Sequence, residues 1–292
     1  MKKVVVSLSL LIGLGVTQIN AQTFDVGIKG GLNIPNLSSV GKATPVNEGY
    51  SSILAWCSGV FVEMHLTKTF SLQSGLEYTR QGGKKDGLQA LPAGTVYDGV
   101  IAENPPFAAL TSFLPADYLY ANFRSEPYFD YLMLPVQAKF GWNFSKTSPL
   151  RVYVSAGVFG SYLLKTERIS KGNSLFYADA SKTSLTDYAK TNFAAALNAL
   201  PPLQNTMILA ALDMFGSYDN DLNNTENMID DINRFNFGII SSVGISCKVA
   251  QRHNIFVEGG GNYGLINLQK DDDNGQNRIG AATVMLGYGF SF

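Results

Sequence analysis

Gly280-Ala-Ala-Thr-Val-Met-Leu-Gly-Tyr-Gly-Phe-Ser-Phe292 ends the chain. Counting back from Phe292 in steps of two gives Phe290, Tyr288, Leu286, Val284 and Ala282. The positions between them are Ser291, Gly289, Gly287, Met285 and Thr283, mostly small or polar. One face is apolar with aromatics at its end. That is the pattern of a strand with lipid on one side and a barrel interior on the other.

The same period of two recurs in seven earlier segments. Their outward sets are Phe24, Val26, Ile28, Leu32 and Ile34; Val60, Val62, Met64 and Leu66; Phe70, Leu72, Leu76 and Tyr78; Leu132, Leu134, Val136, Ala138, Phe140 and Trp142; Leu150, Val152, Val154, Ala156, Val158 and Tyr162; Phe237, Ile239, Val243, Ile245 and Cys247; and Ile255, Val257, Tyr263 and Leu265. Pro135 interrupts the fourth set, which predicts a bulge or a position that needs no ladder donor. Aromatics gather near strand ends, with Phe24, Phe70, Trp142, Phe144, Phe290 and Phe292 at one rim and Tyr78, Tyr131, Tyr162 and Tyr263 toward the other. Such girdles suit the two interfaces of a membrane.

The connections alternate in length. Thr67–Thr69, Ser145–Pro149 and Val249–Asn254 are short, whereas Pro35–Ser52, Gly82–Tyr128, Lys165–Asn233 and Gln269–Asn277 are longer. Outer-membrane barrels pair short periplasmic turns with longer extracellular loops. The expected fold is all-β: an eight-stranded antiparallel transmembrane β-barrel with a partly helical extracellular loop cap. A soluble barrel would turn its apolar face inward. The outward apolar patches here exceed what a soluble monomer tolerates.

Residues 1–21 read as a signal peptide. Lys2 and Lys3 give the charged start, Val4 to Val16 the apolar stretch, and Ile19-Asn20-Ala21 the cleavage region. Residues 22–292 then form one outer-membrane barrel domain, with 82–128 and 165–233 as its long extracellular loops. The expected location is the cell outer membrane, with outer-membrane lipid as the first partner. Removing Lys2 and Lys3 lowers the basic count from 22 to 20 against 23 acids. That balance gives no footprint for nucleic acid. Cys57 and Cys247 fall on different strands and are expected as unpaired thiols, and neither has a partner at metal-ligand spacing. No cofactor is expected.

Tyr131-Leu-Met-Leu-Pro-Val-Gln-Ala-Lys-Phe140 resembles the tyrosine, apolar, proline signature of the PorT-like outer-membrane β-barrels common in Bacteroidota. Tyr153-Val-Ser-Ala-Gly157, Tyr263-Gly-Leu-Ile-Asn267 and Leu286-Gly-Tyr-Gly-Phe290 are similar to the same family. The resemblance spans most of the chain after the signal peptide and implies barrel architecture rather than a particular chemistry. The family includes a component associated with type IX secretion, so a transport or secretion accessory is the alternative role it implies.

The inward faces carry Lys29, Glu63, Glu77, Lys139, Arg151, Lys248 and Glu258. Eight strands leave a lumen about wide enough for their own side chains. Buried charges must pair, so an internal salt-bridge plug is expected over a polar conduction path. The third long loop reads as two helices, Asp187 to Leu200 and Gln204 to Phe215, with Pro201-Pro202 between them. Met207, Ile208, Ala211, Leu212 and Phe215 fall on one side of the second. The second long loop is too apolar for a free coil. Phe107, Phe113, Tyr118, Tyr120, Tyr188, Phe193, Leu197 and Phe215 are the candidate cap residues for a protein or small ligand, with a helical pair packing on itself as the plainer reading. Asp219 to Asn224, with Asp230 beyond, partly follows a calcium-loop spacing. It lacks the central Gly and the closing Glu, and reads as solvated coil. Asp271 to Gly275 reads as a tight turn, with Asn274-Gly275 supplying positive φ. The two histidines are His65 and His253. His65 lies two residues before a short turn and His253 lies within one, away from the rim where barrel hydrolases work, so no enzyme is expected.

Overall fold

The computed structural model describes residues 23–41, 43–145, 147–172, 175–217, 222–271, 273 and 275–292. The expected signal peptide and Asp219 to Asp221 lie outside the described residues. Ten strands form one antiparallel sheet: β1 Thr23–Val40, β2 Ala55–His65, β3 Phe70–Gly82, β4 Lys85–Pro92, β5 Tyr118–Asn143, β6 Leu150–Lys171, β7 Asn224–Glu226, β8 Phe235–Ala250, β9 His253–Gly264 and β10 Gln276–Ser291. Eight of them close a ring in the order β1-β2-β3-β5-β6-β8-β9-β10, and β10 returns to β1 from Asp25↔Ser291 to Val40↔Gln276. No described helix is long and apolar enough to cross a membrane. The crossing is made by strands.

Side-chain exposure follows the alternation. Ile28, Val60, Val158, Ile239, Val243 and Leu286 stand exposed on the outer wall, while Lys29, Phe61, Glu77, Tyr153 and Glu258 are buried inside. The usual soluble arrangement is inverted, as lipid requires. Trp56 and Tyr78 stack on the outer wall with ring centroids 4.6 Å apart. Tyr131 departs from the expected girdle. It shares inward parity with Met133 and is buried in the lumen at 2% exposure. Opposite Pro135 the β3–β5 ladder breaks: Ser74 pairs with Val136 and Glu77 with Met133, with no pairing recorded between. The Ser74 hydroxyl donates instead to the Pro135 carbonyl at 2.9 Å.

The strands continue into segments that sequence alternation assigns to loops. β5 is 26 residues long, more than twice what a tilted spanning strand needs. Its first part pairs with β4 from Lys85↔Ser125 to Pro92↔Tyr118, and its partner β6 carries β7 beyond the ring. The lipid-facing pattern lapses there, but period-two burial persists at Leu119, Ala121, Ser125 and Phe129. This extension carries a helical cap. The cap comprises α1 Ala93–Glu103, a 3-10 helix Pro105–Phe113, α2 Leu185–Asn192, α3 Ala194–Asn198 and α4 Pro202–Gly216. The expected helix 187–200 is broken at Phe193, whose φ of −123° leaves the helical region. The Phe193 ring sits edge-on to Phe113 and Tyr188, 5.8 and 6.2 Å away. Ser184 caps α2 by accepting from the Asp187 amide at 3.0 Å.

Leu286 is 66% exposed and paired in mid-wall with Val257 and Gly30. Leu286→Arg is expected to lower barrel stability by about 2–4 kcal/mol, while Leu286→Ile leaves it nearly unchanged. Urea titration of the protein refolded into vesicles measures both.

Candidate functional site

The lumen is built by strand register. Lys29, Gly59 and Glu77 stand at one height on β1, β2 and β3. A Cβ on Gly59 would lie 2.7 Å from Glu77 Cγ. Its absence lets the Glu77 side chain lie across β2 and meet Lys29 Nζ at 2.7 Å. Lys29 Nζ also donates to Glu258 Oε1 at 3.3 Å. Glu258 Oε2 accepts from the Tyr153 hydroxyl at 3.1 Å. The Tyr153 ring crosses Gly244 in the same way, since a Cβ there would sit 2.3 Å from the ring.

A second ion-pair unit lies beside the first. Lys139 Nζ meets Glu63 Oε2 at 2.7 Å and donates to Gln73 Oε1 at 3.1 Å. The Ser71 hydroxyl donates to Glu63 Oε1 at 2.5 Å. Lys139 Nζ also stands 4.0 Å from the Tyr153 ring centre, which ties the two units together. Phe61, Tyr153 and Phe256 fill the remaining space as an aromatic cluster. The five network residues Lys29, Glu63, Glu77, Lys139 and Glu258 are all buried.

Two residues expected in this network stand apart from it. Arg151 is the second residue of β6 and Lys248 lies near the end of β8. Inward parity is shared, but depth is not: both stand at the rim formed by the short turns, and Lys248 is exposed. Neither forms an ion pair among the described residues. In their place the rim holds a contact that strand parity alone does not reveal. His65 Nε2 lies 3.0 Å from Asp25 Oδ2, and His65 Nδ1 lies 3.7 Å from Glu63 Oε1. The other histidine, His253, bonds the Tyr288 hydroxyl at 2.5 Å through Nδ1.

Toward the cap the lumen closes with apolar layers. Met133, Phe159 and Ile240 form one. Leu37, Phe129, Tyr131, Leu163 and Ile279 form the next, completed by Met228, Ile232 and Leu268 from the connections. A gap of about 10 Å³ between Thr79, Gln81, Tyr131 and Asn262 separates them, room for about one water.

The cap has a core of its own. Ala93, Tyr97 and Val100 of α1 present one stripe to Leu119, Phe176, Leu185, Leu197, Leu212 and Phe215. Burial raises the Tyr97 phenol above its ordinary pKa, and its hydroxyl donates to the Pro115 carbonyl. Most of the aromatic residues expected as a binding face hold this core together. Phe107 lies edge-on to Phe215 at 5.6 Å, Phe113, Tyr188 and Phe193 pack ring to ring, and Leu197 and Phe215 are buried. Tyr118 and Tyr120 belong to β5, where Tyr120 bridges Tyr177. The exposed apolar face lies elsewhere. Leu203, Met207 and Met214 on α4 are 73%, 62% and 62% exposed. Their spacing, with exposed Ala210 between, puts them on one side of the helix. Met207 therefore faces away from the buried Leu212 and Phe215 with which helical spacing groups it. The signal was present as a second stripe in a helix apolar on nearly every side.

A family model described as "Outer membrane protein beta-barrel domain" matches residues 20–270. No curated protein matches the chain. Among solved structures, Neisserial surface protein A is 10% identical, with 94% of this chain and 100% of that chain covered and a TM-score of 0.38. A major outer membrane protein from Thermus thermophilus is 11% identical, with 94% and 100% covered and a TM-score of 0.39. The outer membrane protease OmpT from Escherichia coli is 8% identical, with 94% and 99% covered and a TM-score of 0.40.

Lys29→Met strands Glu77 and Glu258 without their shared cation. A loss of about 3–5 kcal/mol is expected, the usual result of breaking a buried pair from one side. Adding Glu77→Gln to that variant restores part of it. Equilibrium unfolding of the two variants beside the parent checks both statements.

Proposed function

The chain belongs to the outer membrane protein β-barrel domain family, and from that membership we propose that it is a non-enzymatic surface protein that binds a partner through its cap. The short turns face the periplasm and the cap faces outward, as in barrels of this kind. The signal peptide at residues 1–21 delivers the chain across the inner membrane. One observation carries the proposal: Leu203, Met207, Ala210 and Met214 form an exposed apolar stripe on a helix whose other face packs down through Leu212 and Phe215. Clustered exposed apolar residues of this kind mark interaction surfaces. Methionine suits a surface that adapts to its partner.

The histidines support the non-enzymatic reading. His65 is held between Asp25 and Glu63, and His253 by Tyr288, both at the end opposite the cap. The tract Tyr131–Phe140 that resembles the PorT-like family supplies barrel wall and lumen, and a transport or secretion accessory is the second role that this resemblance implies.

The test is labelling of Met207→Cys in intact cells with a membrane-impermeant maleimide. Labelling before rupture is expected. Labelling only after rupture would invert the topology and remove the proposal. Met207→Glu with Met214→Glu is then expected to leave assembly intact and abolish cell-surface binding to the partner. Binding equal to the parent's would exclude the stripe.

A further inference from the structure

At the end opposite the cap, the short turns surround an open vestibule of about 710 Å³. Four of its lining side chains are cations: Lys68, Arg151, Lys248 and Arg252. They come from the β2–β3 turn, the start of β6, the end of β8 and the β8–β9 turn. The one lining carboxylate side chain among the described residues is Asp25, which His65 engages through Oδ2 at 3.0 Å while Oδ1 is buried without a hydrogen-bond partner. A single carboxylate thus faces four cations. None of the four cations forms an ion pair among the described residues.

Arg151 sets this apart from a scatter of surface charge. Its Nε and Nη2 atoms are buried and have no hydrogen-bond partner. The guanidinium rests where Gly141 lacks a side chain, since a Cβ there would lie 2.2 Å from Arg151 Nε. Arg151 as a whole is half-buried, and the edge of its charged group that is withdrawn from water without a partner is costly. Three more cations around the same opening add repulsion. The glutamates that could have paired with it are committed deeper, Glu63 to Lys139 and Glu77 and Glu258 to Lys29. What the arrangement lacks is an anion with several acceptor oxygens. The planar fork of a guanidinium matches such a group, and the lysines supply charge without directional demand. Four cations favour a phosphate over a single carboxylate.

We propose that the turn-side vestibule is a phosphate-binding site, with Arg151 as the directional donor and Lys68, Lys248 and Arg252 as the surrounding charge. The phosphate is either free in solution or carried on the headgroup of a lipid at the rim. The site does not depend on the partner-binding stripe, so either can fail without the other.

The test uses the full chain refolded in a phosphate-free maltoside detergent. Inorganic phosphate is titrated against chloride at constant ionic strength, with calorimetry and the thermal midpoint as readouts. A second arm compares vesicles of phosphatidylglycerol with neutral glycolipid vesicles. Saturable binding, or a midpoint raised only in phosphatidylglycerol, is expected, and which arm responds identifies the source. Arg151→Gln with Lys248→Gln is expected to weaken the response about tenfold or more. Without phosphate, Arg151→Gln alone is expected to raise the midpoint, because it removes a half-buried charge that has no ion-pair partner. With saturating phosphate it is expected to lower it. No response in either arm, or a response equal in parent and double variant, would overturn the proposal.

Discussion

A backbone in hydrocarbon finds no water for its amides and carbonyls. Every strand in the membrane must therefore have a neighbour on both sides. The β1–β10 ladder meets that requirement by turning a sheet into a ring. Closure then fixes the faces. Alternate residues must be apolar toward lipid, and the others meet inside a lumen too narrow to stay open.

The lumen solves a packing problem with charges and small residues together. Long side chains from one strand need room across the next, and glycines at the same height provide it. Gly59 lies under Glu77, and Gly244 under Tyr153. The ion pairs follow from that geometry. Lys29 serves two glutamates, and Lys139 serves one glutamate while resting on an aromatic face. Such pairs do not by themselves show large stabilisation, but removing one member leaves a charge that nothing can screen. Apolar layers toward the cap complete the closure.

Much of this was legible in residue order because lipid imposes a period of two. Parity placed Lys29, Glu63, Glu77, Lys139 and Glu258 on the inner face. It could not place them in depth, which is why Arg151 and Lys248 read as network members although they stand at the rim. The extension of β5 and β6 beyond the ring was hidden because its outer face meets water, where alternation need not be apolar. The break at Phe193 was hidden for a different reason. Helical spacing runs through it, and only the rings of Phe113 and Tyr188 draw it out of the helix. The exposed stripe of α4 was masked because apolar residues also fill most of the rest of the helix.

The central claim is that the lumen is closed by its own side chains, which leaves the cap and the rim as the working surfaces. Single-channel recording of the refolded, purified barrel in a planar bilayer tests it most directly. The account predicts no steady conductance from barrels whose insertion has been confirmed independently. Sustained ion flow would contradict it and make the lumen a conduction path.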